Sequence, residues 1–138
     1  MAGRYTTIER AGIAIVVLHL LVGVVHSLAH SALQIYMATW QNAYILVVIT
    51  VLPLVAAFLL WRRSRLAFLL LFISMLGSLI FGGYYHFVAA GPDNVSELGH
   101  HAWTFPFQLS AILLAVLEGL GTLVGVAGLS RTRDAIQS

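Results

Sequence analysis

The chain has 138 residues, 60% of them hydrophobic and 9% charged, with a formal net charge of +2 and no cysteine. A soluble domain carries about 25% charged residues, so too few polar side chains exist here to clothe a water-facing surface. The lack of cysteine excludes disulfides, thiolate metal sites, iron–sulfur clusters and thiol redox chemistry, and the basic residues are all arginines gathered at helix ends, which excludes a nucleic-acid-binding patch.

Four apolar runs follow one another, each near the roughly 20 residues needed to cross the hydrocarbon layer. They predict an all-α integral membrane four-helix bundle, up-down-up-down, forming a single transmembrane domain over residues 1–138. The first span is expected from Ala11 to Leu33, after a polar leader with Arg4, Glu9 and Arg10. This run is longer than the roughly 7–15 residues of a secretory-signal core, so it reads as a retained helix. The second span is expected from Ala43 to Trp61, with Thr50 and Pro53 marking a kink that a membrane helix tolerates. Arg62-Arg63-Ser64-Arg65 ends it, and the third span, Leu66 to Phe87, follows at once as the second arm of a helical hairpin.

The loop from Val88 to Thr104 opens on the turn signal Gly91-Pro92-Asp93. Asn94 followed by Glu97 has the spacing of a helix-capping box, which predicts a short surface helix from Val95 to Trp103. The fourth span is expected from Phe105 to Leu129, with Pro106 in its first turn, where the missing backbone donor costs little. Gly121 and Gly125 form a small-xxx-small pair suited to close helix packing.

The arginines fall in the leader, between spans two and three, and in the tail with Arg131 and Arg133. All three places lie on one side of an even-numbered bundle, and the positive-inside rule makes that side cytoplasmic. The expected setting is thus the cell's inner (plasma) membrane, multi-pass, with both termini in the cytoplasm and loops 34–42 and 88–104 outside. Tyr36, Trp40, Tyr44, Tyr84, Tyr85 and Trp103 would form an outer aromatic belt, with Trp61 as an inner anchor.

Histidine carries the chemical signal. Five of the six, His26, His30, His86, His100 and His101, map to the outer end. At 100° per residue His19, His26 and His30 lie within about 40° of one another on one face of the first span. His26 and His30, one turn apart, can converge on one ion. Glu97 with His100 and His101 makes an E-x-x-H-H arrangement that can present carboxylate and imidazole together, as di-metal bundles do. The predicted metal ligands are therefore His26, His30, His86, His100, His101 and Glu97, with Asp93 as a further carboxylate nearby. Imidazole and carboxylate suit zinc, copper or iron. A b-type haem between His26 and His86 is the cofactor alternative, with Gly23, Gly82 and Gly83 giving a macrocycle room. A chlorophyll-type pigment, needing one histidine, fits the same residues.

Glu118 and His19 stand apart from this cluster, each about 12–16 Å into the membrane by helix rise. Equal depth lets them pair, as a proton or ion relay or as an interhelix clamp. Gln108, Thr122, Ser74 and Ser78 read as interhelical hydrogen-bonding groups. No phosphate-cradling glycine loop, nucleophile elbow or dinucleotide fingerprint is present.

Three functions follow from these residues. The first is a membrane protein that binds a transition metal or metal cofactor through the histidine cluster, with an oxidoreductase or metal-handling role. The second is a non-catalytic accessory subunit of a larger respiratory or photosynthetic complex, with other membrane subunits as partners. The third is a small ion or proton transporter using His19 and Glu118, built as a homo-oligomer because four helices enclose little space. In each the lipid bilayer is the surrounding partner, and no nucleic acid is expected.

Overall fold

The computed structural model describes residues 6–137; Arg4 and the side chain of Arg133 lie outside the described residues. Every element is helical: α1 (Thr7–Ala32), α2 (Thr39–Tyr44), a π-helical segment (Ile45–Val51), α3 (Leu52–Trp61), α4 (Leu66–Phe87) and α5 (Thr104–Gln137). No strand occurs among the described residues. Hydrocarbon offers no partner to a bare N–H or C=O, so apolar runs of this length satisfy their backbone internally. Four helices are long and apolar enough to span a membrane: Thr7–Ala32, Thr39–Trp61, Leu66–Phe87 and Thr104–Arg131.

The first and second spans begin before their expected starts because polar side chains cap them. Thr6 Oγ1 accepts from the Glu9 backbone N–H at 3.4 Å, and Glu9 Oε2 accepts from the Thr6 N–H at 2.8 Å. Two orphan donors are thereby satisfied together, in the pattern Thr-Thr-Ile-Glu. Gln41 likewise accepts from the Ala38 N–H at 2.7 Å ahead of α2. Behind His30 the chain turns sharply. Gln34 takes a left-handed conformation (φ 55°), and the Ile35 N–H donates back to His30 O at 3.0 Å, which stops α1 and delivers Ile35 to the interior.

The expected kink in the second span is a π-helical stretch just ahead of Pro53. Proline supplies no N–H to the turn before it, and the Leu52 N–H reaches back five residues to Val47 O. Thr50 Oγ1 donates to Ile45 O at 3.1 Å and occupies another carbonyl in the widened turn.

Spans three and four make the tightest seam. Gly121 lies against Met75 and Gly128 against the Phe68 ring, while a methyl group on Gly125 would fall 2.8 Å from the Phe72 backbone. Span two joins this seam through Tyr44, whose hydroxyl donates to Gly77 O at 3.1 Å and whose ring stacks on Phe81 at 4.8 Å. Val16, Leu60, Phe68, Leu71 and Met75 form one buried apolar cluster; Ala29, Ile35 and Phe107 form a second at the opposite end. Ser74, Ser78 and Thr122 donate to carbonyls of their own helices, whereas Gln108 reaches across to Val95 O at 2.8 Å.

The surface helix expected over Val95–Trp103 does not form; the stretch from Val88 to Trp103 is a run of turns. Its capping residues are engaged elsewhere. Asn94 Oδ1 accepts from the Ser96 N–H at 2.9 Å, and Asn94 Nδ2 donates to Ala89 O. Glu97 Oε2 accepts from the Gly91 N–H at 2.8 Å, so its carboxylate ties the loop together rather than capping a helix. The Val95 N–H donates to His86 O at 3.0 Å, which holds the loop against the end of span three.

The glycine seam makes a clear expectation. Gly125→Ala should cost about 1–3 kcal/mol by forcing two backbones apart, whereas Gly119→Ala, where a methyl group meets nothing within 4 Å, should leave stability unchanged. Thermal unfolding of both variants in detergent checks this.

Candidate metal centre

His26 and His30 come from consecutive turns of α1, and His86 from the last turn of α4. His26 Nε2 stands between the other two, 3.1 Å from His30 Nε2 and 3.2 Å from His86 Nε2. Among the described residues these three form the group able to hold a metal ion, with ligand atoms all within 4.8 Å of one another. Phe107 is fully buried beneath them, its ring centre 4.8–5.5 Å from each imidazole. A rigid apolar floor of this kind restricts ring rotation and keeps water from one side.

The outer nitrogens decide what the inner ones carry. With the Ser110 hydroxyl hydrogen on Phe107 O at 3.0 Å, Ser110 accepts from His26 Nδ1, 2.9 Å away. In that arrangement His26 Nδ1 carries the ring proton. His86 Nδ1 faces the Asp93 backbone carbonyl at 3.0 Å, a pure acceptor, and must donate as well. In neutral rings both Nε2 atoms then present lone pairs to each other across 3.2 Å. Two facing lone pairs repel unless a cation stands between them. Ligands around a tetrahedral zinc with bonds of 2.0–2.1 Å stand about 3.3–3.4 Å apart, close to the spacing found here.

Asp93 completes the electrostatics. It is buried, and Oδ1 lies 3.2 Å from both His30 Nε2 and His86 Nδ1. Neither carboxylate oxygen makes a well-aligned hydrogen bond. A buried carboxylate without proper donors is costly, and a negative charge beside two of the imidazoles favours a bound cation. The hydroxyl at the far nitrogen of His26, and the carbonyl and carboxylate at that of His86, match the usual outer sphere of a metal site.

The remaining expected ligands lie elsewhere. Glu97 is exposed and bonded to Gly91 N. His100 and His101 are exposed in the loop, where His101 Nδ1 accepts from the Trp103 N–H at 3.1 Å. Because the surface helix does not form, the E-x-x-H-H spacing no longer gathers these side chains on one face. Deeper in the bundle, His19 Nε2 is 3.1 Å from Glu118 Oε1, both residues buried, while His19 Nδ1 has no partner.

Ser110 and Phe107 were not apparent from the sequence as parts of the site. The signal was a stripe on span four, Phe107, Ser110, Leu114 and Glu118, repeating at three- and four-residue steps, all buried. It places Ser110 on the same face as Glu118 and hence toward the histidines of span one.

Removing an outer acceptor should weaken metal binding without removing a ligand. Ser110→Ala is expected to lower affinity about 10–100-fold, read by competition with a chelator of known strength, with the helical content unchanged. No known family model, curated protein sequence or solved structure matches the chain, so its chemistry is read from this geometry.

Proposed function

We propose that this is an up-down-up-down membrane protein that holds one zinc, copper or iron ion through His26, His30 and His86. The arginine distribution supports a centre near the extracytoplasmic face of the cell's inner membrane, with both termini in the cytoplasm. The observation that carries the reading is the approach of the His30 and His86 Nε2 atoms to His26 Nε2, at 3.1 and 3.2 Å.

A single ion fits this point better than haem. Two axial nitrogens on opposite sides of one iron stand roughly 4 Å apart, twice the metal–nitrogen bond, and His26 and His86 are closer than that at 3.2 Å. The three histidines also line a cavity of about 870 Å³. Three protein ligands with one side left open is the arrangement of catalytic metal sites, whereas structural sites close all positions. The role this supports is redox or Lewis-acid chemistry on a molecule admitted to that cavity. The ion would supply charge and an open coordination position; Asp93 would balance its charge, and Ser110 would hold His26 in the binding tautomer.

Elemental analysis of the purified protein is expected to find one transition-metal ion per chain. His26→Ala, His30→Ala and His86→Ala should each abolish this stoichiometry, while His100→Ala and His101→Ala retain it. Binding should weaken as pH falls, because protons compete for the same lone pairs. A metal-free protein that takes up none of the three ions on addition, its imidazoles sharing a proton instead, would defeat the proposal.

A further inference from the structure

Span two packs against span one through α3, whereas its π-helical segment packs against α4. The outer halves of spans one and two are therefore splayed, and the cavity of about 870 Å³ lies between them. Val24 and Leu28 line it and are more than half exposed, at 60% and 54%. On a membrane-spanning helix that exposed surface meets lipid, so the cleft opens sideways into the bilayer. Ile45 and Ile49 of the π-helical segment form the facing wall.

The floor of the cleft is polar. The triad lies at one end and the His19–Glu118 pair at the other. Gly82 lies between them: a methyl group there would stand 3.7 Å from His86 Cδ2 and 3.8 Å from Glu118 Oε2. One small head group over Gly82 would thus reach both the triad side and the carboxylate. His19 Nδ1 is buried, without a partner, on a residue that lines the same cleft. Buried polar atoms require partners, and here a ligand can supply one. Opposite, Gly23 has nothing within 4 Å of where a side chain would begin, which leaves the slot open.

We infer that the cleft binds an uncharged lipid-phase amphiphile, entering from the side, with its apolar body between spans one and two and a hydroxyl-bearing head between the triad and Glu118. A charged molecule is disfavoured because its route lies through hydrocarbon. This inference rests on the metal reading for the role of the head group, and it names the substrate class that reading leaves open.

The test uses the full chain, purified with its metal, and 4-decylphenol as probe against decylbenzene, the same molecule without the hydroxyl. Native mass spectrometry counts bound probe and bound metal in the same sample, so failure of one reading is separable from failure of the other. The wild-type chain is expected to take up one 4-decylphenol and to prefer it over decylbenzene roughly tenfold, the worth of about one buried hydrogen bond. Gly23→Leu, which fills the slot, should lose phenol binding while keeping its metal. Equal uptake of the two probes would mean a lipid-filled groove without head-group recognition and would overturn the inference. Unaltered phenol binding by a metal-bearing Gly23→Leu chain would overturn it too.

Discussion

Three imidazoles converge within a low-dielectric bundle, and the structure around them is organised to hold them together. With Ser110 and the Asp93 carbonyl accepting the outer hydrogens of His26 and His86, lone pairs are opposed at 3.2 Å. In water such rings would turn or bind solvent. Here Phe107 packs against all three, and the loop carrying Asp93 is pinned to the end of span three by the bond from Val95 N to His86 O. Lone pairs held facing one another in this way would favour a positive charge at the centre.

The fold divides its work between a tight side and an open side. Gly121 and Gly128 seat the Met75 and Phe68 side chains of span three, and Gly125 sits against the Phe72 backbone, giving the van der Waals packing that membrane helices depend on in place of a hydrophobic driving force. The π-helical segment of span two does the reverse and stands off from span one. The rigid seam fixes where His86 and Ser110 lie relative to each other, and the splayed pair provides access.

The sequence revealed the parts of this arrangement that depend on a single helix. Span number followed from apolar runs, and the His26–His30 pairing from their spacing of one turn on α1. Glu118 and His19 were placed at a common depth by counting residues along each helix, and their side chains lie 3.1 Å apart. What one sequence could not show is the rotation of each helix against its neighbours. That rotation selects Ser110 over other polar residues of span four as the partner of His26, and brings Phe107 under the rings.

The loop was misread for a related reason. Asn94 and Glu97 have the spacing of a helix cap, but both side chains satisfy backbone groups within the turn, at Ser96, Ala89 and Gly91, and these contacts compete with helix formation. With that helix gone, His100, His101 and Glu97 lose the common face that made them look like ligands. Asp93, by contrast, is carried inward by the same turns to a place beside His30 and His86.

X-ray absorption on the metal-loaded protein addresses the central claim most directly, because it reports the atoms bound to the ion. The account predicts three imidazole nitrogens at about 2.0–2.1 Å, with the outer-shell scattering of histidine rings and a further light atom at the open position. A shell made only of oxygen, or the four-nitrogen plane of a porphyrin, would contradict it.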